Sequence, residues 1–151
     1  MFVPELDVRA LEASLHFYAE VLHFRILFEW SAERFAYLEH DGDQLPLQEA
    51  AGPGRRFRAA PLESPYGRGV NFQLRVADVD AVHTRAVASG ANIVVPIEER
   101  WYRIDVAVSA GRRQVIGPTE VGNRQRVLAD PDGNLWRPFN DLGMRPAIDS
   151  A

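Results

Sequence analysis

Apolar residues along the chain recur with two different periods, and the changes of period divide it. Over residues 11–24 (LEASLHFYAEVLHF), Leu11, Leu15, Tyr18 and Leu22 form the stripe of an amphipathic helix that covers a core face. Ahead of it residues 3–8 alternate apolar and polar, and after it Arg25 to Trp30 and Arg34 to Glu39 read as strands joined by a short turn. His40-Asp41-Gly42-Asp43 is a turn cluster in which Asp-Gly supplies the positive φ of a tight hairpin, and Gln44 to Glu49 returns as a further strand. The predicted order is βαβββ.

Both periods lapse over residues 50–68 (AAGPGRRFRAAPLESPYGR), where glycine, proline and arginine accumulate. Alternation returns in GVNFQLRV, residues 69–76. Residues 79–89 then carry Val79, Val82, Ala86 and Val87 on one helical stripe, with Asp78 as N-cap and Gly90 at the C′ position. Residues 91–96 and 101–108 are the next strands, and 127–129 pairs with 135–140 across Asp130-Pro131-Asp132-Gly133, a type I turn sequence. Laid over the first half, the second places Val79 on Leu11 and Gly90 on Leu22. The prediction is one α+β domain over residues 1–151, built from two tandem βαβββ modules with curved mixed sheets. Module one spans about 2–50, the connection about 51–68, module two about 69–141 and a tail 142–151. One helix covers only one face of a short sheet, so the uncovered faces must pair, within the chain or in a homodimer, and enclose a cup-shaped cavity.

Composition narrows the choice. At 151 residues, 46% apolar and 25% charged, the chain can bury a core without staples, and with no cysteine it has no thiol chemistry. A net charge of −4 argues against a nucleic-acid partner, and no apolar run approaches the roughly 20 residues of a membrane span. Met1-Phe2-Val3-Pro4 leads straight into strand-like sequence with neither a basic segment nor an apolar signal core, from which a cytoplasmic location is expected. Arg55-Arg56-Phe57-Arg58 and Arg112-Arg113 read as solvated loops.

Three stretches, LEASLHFY, GVNFQLRVADVDAVHTRAVASG and LADPDGNLWRPF, occur here in an order and spacing that resembles the glyoxalase/bleomycin-resistance (vicinal oxygen chelate) superfamily over about residues 2–141. In that family's metalloenzymes four ligands come from the first and last strands of each module. The resemblance carries those positions onto Val3, Pro46, Asn71 and Arg137. Valine and proline offer no donor atom, a lone Asn oxygen is a poor ligand, and arginine puts a fixed positive charge where the cation would sit, so no metal or other cofactor is expected. His16 and His83 fall on helices, His23 near a helix end and His40 in a turn, away from the inward strand positions.

Strand alternation places Phe2, Leu6 and Val8 under the helix and Val3, Glu5 and Asp7 toward the cup, together with Pro46, Gln48, Asn71, Gln73, Arg75, Leu135, Arg137 and Phe139. The polar set Glu5, Gln48, Asn71, Gln73 and Arg137, with Phe139, is the candidate ligand site; the plainer reading is a Glu5–Arg137 ion pair that replaces a metal as a crosslink. Of the strand aromatics Phe28, Trp30, Phe35, Tyr37, Trp101 and Tyr102, the candidate site takes Trp30, Trp101 and Tyr102 as stacking surfaces, core packing or a dimer contact being the alternative. Trp136 reads as core. The leading expectation is a metal-independent, non-catalytic binding protein similar to the bleomycin-resistance proteins, a homodimer holding a small molecule such as a glycopeptide antibiotic or an aromatic compound. Arg137 and the arginine-rich stretch 103–122 count against a cationic ligand. The alternative is a lyase, isomerase or dioxygenase of the same superfamily, with a displaced metal site or acid/base chemistry by Glu5 or Asp7. A third reading is a sensor whose cup is filled by its own side chains.

Overall fold

The computed structural model describes residues 1–148, and for residues 106–109, 115 and 116 the backbone alone. The first half folds as β1 (Leu6–Val8), α1 (Leu11–His16), β2 (Arg25–Trp30), β3 (Phe35–His40) and β4 (Asp43–Glu49). The second repeats the order as β5 (Asn71–Arg75), α2 (Val79–Ala88), β6 (Asn92–Ser109), β7 (Arg112–Ala129) and β8 (Leu135–Pro146). Two mixed four-stranded sheets result, β1-β4-β3-β2 and β5-β8-β7-β6. In each, the first strand lies parallel to the last and the remaining pairs are antiparallel. The chain is an α+β fold of two βαβββ modules.

Local chemistry accounts for most boundaries. Ala10 gives α1 no side-chain cap, and the Glu49 carboxylate of β4 instead accepts from the Leu11 N–H at 3.0 Å. The helix widens over Phe17–Val21 into a π-helical turn, which is why it ends short of the stripe that predicted it. Asp78 caps α2 by accepting from the N–H groups of Asp80 and Ala81 at 2.9 and 3.1 Å. Asp41 and Gly42, at φ 48° and 93°, are the two positive-φ residues that the β3–β4 hairpin requires.

The sequence pattern misses the far part of the second module. Residues 92–109 form one strand, interrupted by register shifts, and an Ala110-Gly111 turn returns the chain as β7. The supposed tail continues β8 to Pro146. Much of this arm is exposed on both faces, so it carries no apolar face for a period to reveal.

The core is one cluster drawn from both modules: Val8, Leu11, Tyr18, Leu22, Leu38 and Leu47 meet Leu74, Val79, Val82, Leu128 and Trp136. Its polar centre joins the halves. The Tyr18 hydroxyl donates to Asp130 at 2.5 Å and accepts from the Trp136 indole N–H at 3.1 Å, while the Arg9 backbone N–H and Nε donate to Asp132. Burial, reinforced by the Asp130 carboxylate, pushes the Tyr18 pKa well up and keeps that hydroxyl a donor. The Asp130-Gly133 segment closes by a Gly133 N–H to Asp130 carbonyl bond of 3.1 Å, as a type I turn should, and it also docks the opposite module's helix. Phe2 corrects the expected strand phase: it is 86% exposed and does not pack under α1. Arg126 is completely buried beneath α2, with Nη1 against His83 Nδ1 and with Nε and Nη2 lacking partners among the described residues.

Candidate functional site

A β-bulge shapes the concave face of the first module. Ile26 pairs with Leu38, a core residue, so simple alternation would send residues 28 and 30 to the helix side as well. The register shift at Leu27 instead pairs Phe28 with Tyr37 and Trp30 with Phe35. All four rings therefore share the face opposite the helix, with Phe28 stacked on Tyr37 at 5.1 Å and 16°. On the neighbouring strand Leu45 and Leu47 fill the core, which turns Pro46 and Gln48 toward the same rings. The result is a recess of about 440 Å³ walled by Phe28, Trp30, Phe35, Tyr37 and Gln48, with Glu33, Arg55 and Arg56 around it.

The connection between modules builds one side of this recess. Arg56 donates to the Glu49 carbonyl through Nε and Nη2 at 3.2 and 2.8 Å, and Arg58 grips both carboxylate oxygens of Asp7 at 3.1 Å. Asp7 is thus committed to an ion pair and is poorly placed to act as the acid or base considered from sequence. Arg55 lies over the Phe57 ring at 4.7 Å. The arginine cluster read as a solvated loop is partly structural, and nothing in its local pattern signals that it folds back on the sheet.

On the second module's concave face, Gln73 lies opposite Arg137 and Arg75 opposite Phe139. The Tyr102 hydroxyl donates to Gln125 Oε1 at 2.9 Å, Gln125 Nε2 donates to Glu98 at 3.2 Å, and Arg137 Nη1 approaches the Tyr102 hydroxyl at 3.4 Å. Gln125, buried at the centre of this chain, was not foreseen, because it lies in the arm whose strand pattern is obscured.

The nine candidate residues therefore occupy several places and not one cup. Gln48 and Trp30 share the aromatic recess. Asn71 and Gln73 line a seam of about 310 Å³ between the two sheets, beside Phe2, Phe24, Phe72 and Trp136. Gln73 also meets Phe139 in an adjoining hollow, and Arg137 joins Tyr102. Glu5 is exposed and forms no ion pair with Arg137, which corrects the crosslink reading. Trp101 is a second correction: neighbouring strand residues face opposite ways, so it lies on the reverse side from Tyr102, over Gly122 and under the Arg145 guanidinium at 3.8 Å.

The positions corresponding to the metal ligands do not suit a divalent ion. Pro46 is buried in the first module, Asn71 is at the exposed seam, and Arg137 brings a cation of its own. Among the described residues no three His, Asp or Glu side chains converge on a metal-sized site. No helix of the described residues is long and apolar enough to cross a membrane.

Comparison with known proteins gives the following. A family model described as the Glyoxalase/Bleomycin resistance protein/Dioxygenase superfamily matches residues 4–137. No curated protein matches. Among solved structures, TioX from Micromonospora sp. ML1 is similar at 23% identity and a TM-score of 0.67, covering 93% of this chain and 98% of that one. The virulence protein STM3117 from Salmonella typhimurium is 17% identical with a TM-score of 0.63, covering 93% and 94%. A glyoxalase/bleomycin resistance protein/dioxygenase from Alicyclobacillus acidocaldarius is 19% identical with a TM-score of 0.56, covering 94% and 91%. Likenesses at these identities speak to the fold alone.

Proposed function

Given that the chain belongs to the glyoxalase/bleomycin resistance protein/dioxygenase superfamily, we propose that it is a metal-independent binding protein for a small molecule carrying a planar aromatic group. One observation carries the reading: a bulge turns Phe28 and Trp30 onto the face of Phe35 and Tyr37, making an open aromatic recess where alternation alone would have aimed them at the helix side. Phe28 and Trp30 remain 54% and 61% exposed, so their faces are available for stacking. Among the described residues that line the recess none is a Ser, Thr or His, a lining suited to holding a ligand. A homodimer belongs to the same proposal, because the apolar edge strand β2 and the open concave faces leave surface that a second copy would cover.

The test is a thermal-shift panel of planar aromatic compounds that includes a bleomycin-type glycopeptide. A ligand that binds the native state alone at a hundred times its Kd adds about 2.7 kcal/mol of stability. We expect at least one compound to raise Tm by several degrees, and the rise to vanish in Trp30→Ala. No shift from any member of the panel would refute the binding role.

A further inference from the structure

Resting on that reading of the recess, we infer that its ligand is an aromatic anion, a planar ring system bearing a carboxylate or a similar acidic group, and not a cation. The rim decides the sign. Two guanidinium groups, Arg55 and Arg56, stand beside the aromatic wall against a single carboxylate, Glu33. Arg56 is pinned there by neutral backbone carbonyls, those of Glu49 and, at 3.4 Å, Glu33; the Glu33 carboxylate lies near its Nη1 without closing an ion pair, and with Arg55 beside it the rim keeps an excess of positive charge. Arg55 has a ring beneath it and, among the described residues, no carboxylate within ion-pair distance.

Gln48 lies in the same wall: the residue is 6% exposed, its amide makes no hydrogen bond among the described residues and is not sealed from solvent, so it opens onto the recess and can donate to an acceptor on whatever fills it. Aromatic walls by themselves also attract cations. A cation cage, however, is completed by an excess of carboxylates, and here two arginines outnumber the one carboxylate, Glu33. An anion gains charge-assisted hydrogen bonds from the arginines and a neutral donor from Gln48 while its ring stacks on Trp30 and Phe28.

Three probes that differ only in charge test this by titration calorimetry: 2-naphthoate, 2-naphthylmethanol and 2-naphthylmethylammonium. The acid is expected to bind roughly tenfold more tightly than the alcohol, and the ammonium most weakly. Raising the salt concentration should shrink the acid's advantage. Arg55→Gln should reduce the acid's advantage over the alcohol to about twofold, with circular dichroism confirming the fold. Ammonium binding as tight as the acid's overturns the charge assignment and leaves the aromatic recess standing. An acid preference untouched by Arg55→Gln removes the rim arginine from the site. If none of the three binds, the binding role itself fails and the inference with it.

Discussion

Tyr18→Phe removes one oxygen from the centre of the molecule, and the structure says what that oxygen does. Its hydroxyl donates to Asp130 at 2.5 Å, a charge-assisted bond between fully buried partners, and accepts from Trp136 Nε1 at 3.1 Å. After the substitution Asp130 keeps its bonds from Asn134 and from the Asp132 N–H, but the indole N–H of a tryptophan only 3% exposed has no acceptor left. Losing the charged bond costs about 1.5 to 3 kcal/mol, and an orphaned buried donor about 1 to 3 kcal/mol more. Neighbouring effects overlap, so about 3 kcal/mol is expected for the whole. For a domain of this size that lowers Tm by roughly 6 to 12 °C. Urea unfolding followed by tryptophan fluorescence measures the change, with Tyr37→Phe as control. That hydroxyl, bonded to Gln44 at 2.9 Å in a partly exposed setting, should cost about 1 kcal/mol or less. A Tyr18→Phe protein within 1 kcal/mol of wild type would refute the account of how the modules are joined.

Three further outcomes are expected. Gly122→Ala would place a Cβ 2.6 to 2.8 Å from three atoms of the Trp101 ring, so the ring must leave its stack with Arg145; a loss of about 1 to 3 kcal/mol and an altered near-ultraviolet dichroism should follow, and an unchanged spectrum would be the contrary result. Arg126→Met exchanges a fully buried cation, whose pKa burial lowers, for an apolar chain of similar length; Tm should hold or rise, and a large fall would mean that the contact with His83 outweighs the cost of burying the charge. The Glu12 carboxylate, hydrogen-bonded by Arg34, titrates at about 2 against an ordinary 4.5. A depressed folded-state pKa means that its stabilisation is fully present above 4.5 and is lost as pH falls from there toward 2. Urea titrations across that window should therefore show a shallower decline for Glu12→Gln than for wild type, and parallel declines would remove this pair from the acid response.

Sequence made the repeat legible because each module's helix has a buried stripe, the second bounded by Asp78 and Gly90, and because the Asp41-Gly42 turn marks the β3–β4 hairpin of the first. It failed where burial is absent or where one residue resets the phase. The 92–109 strand, where its side chains are described, and the start of the 112–129 strand are largely exposed, so alternation there has no hydrophobic contrast, and farther along the second strand polar Gln125 and Arg126 are buried beside Leu128. Leu27 is the sharper case. A bulge inserts one residue without any signature in composition, yet it decides which face receives Phe28 and Trp30. Trp101 and Tyr102 are neighbours on one strand and so point to opposite faces, which keeps them out of a common cup. The Tyr18–Asp130–Trp136 lock joins residues more than a hundred positions apart, beyond the reach of any local pattern.

Among the described residues the two sheets share no backbone ladder, and the chain passes from one module to the other through the connection after β4. In mass-action terms each module is a ligand for the other, held on a tether. A tether of that length sets an effective concentration on the order of millimolar, so the shared core forms independently of how dilute the protein is. Cutting within exposed residues 59–61 would leave every strand pairing intact and make the fold's completion concentration-dependent. The joint is therefore governed less by the strength of its contacts than by the integrity of a segment that contributes nothing to the core cluster.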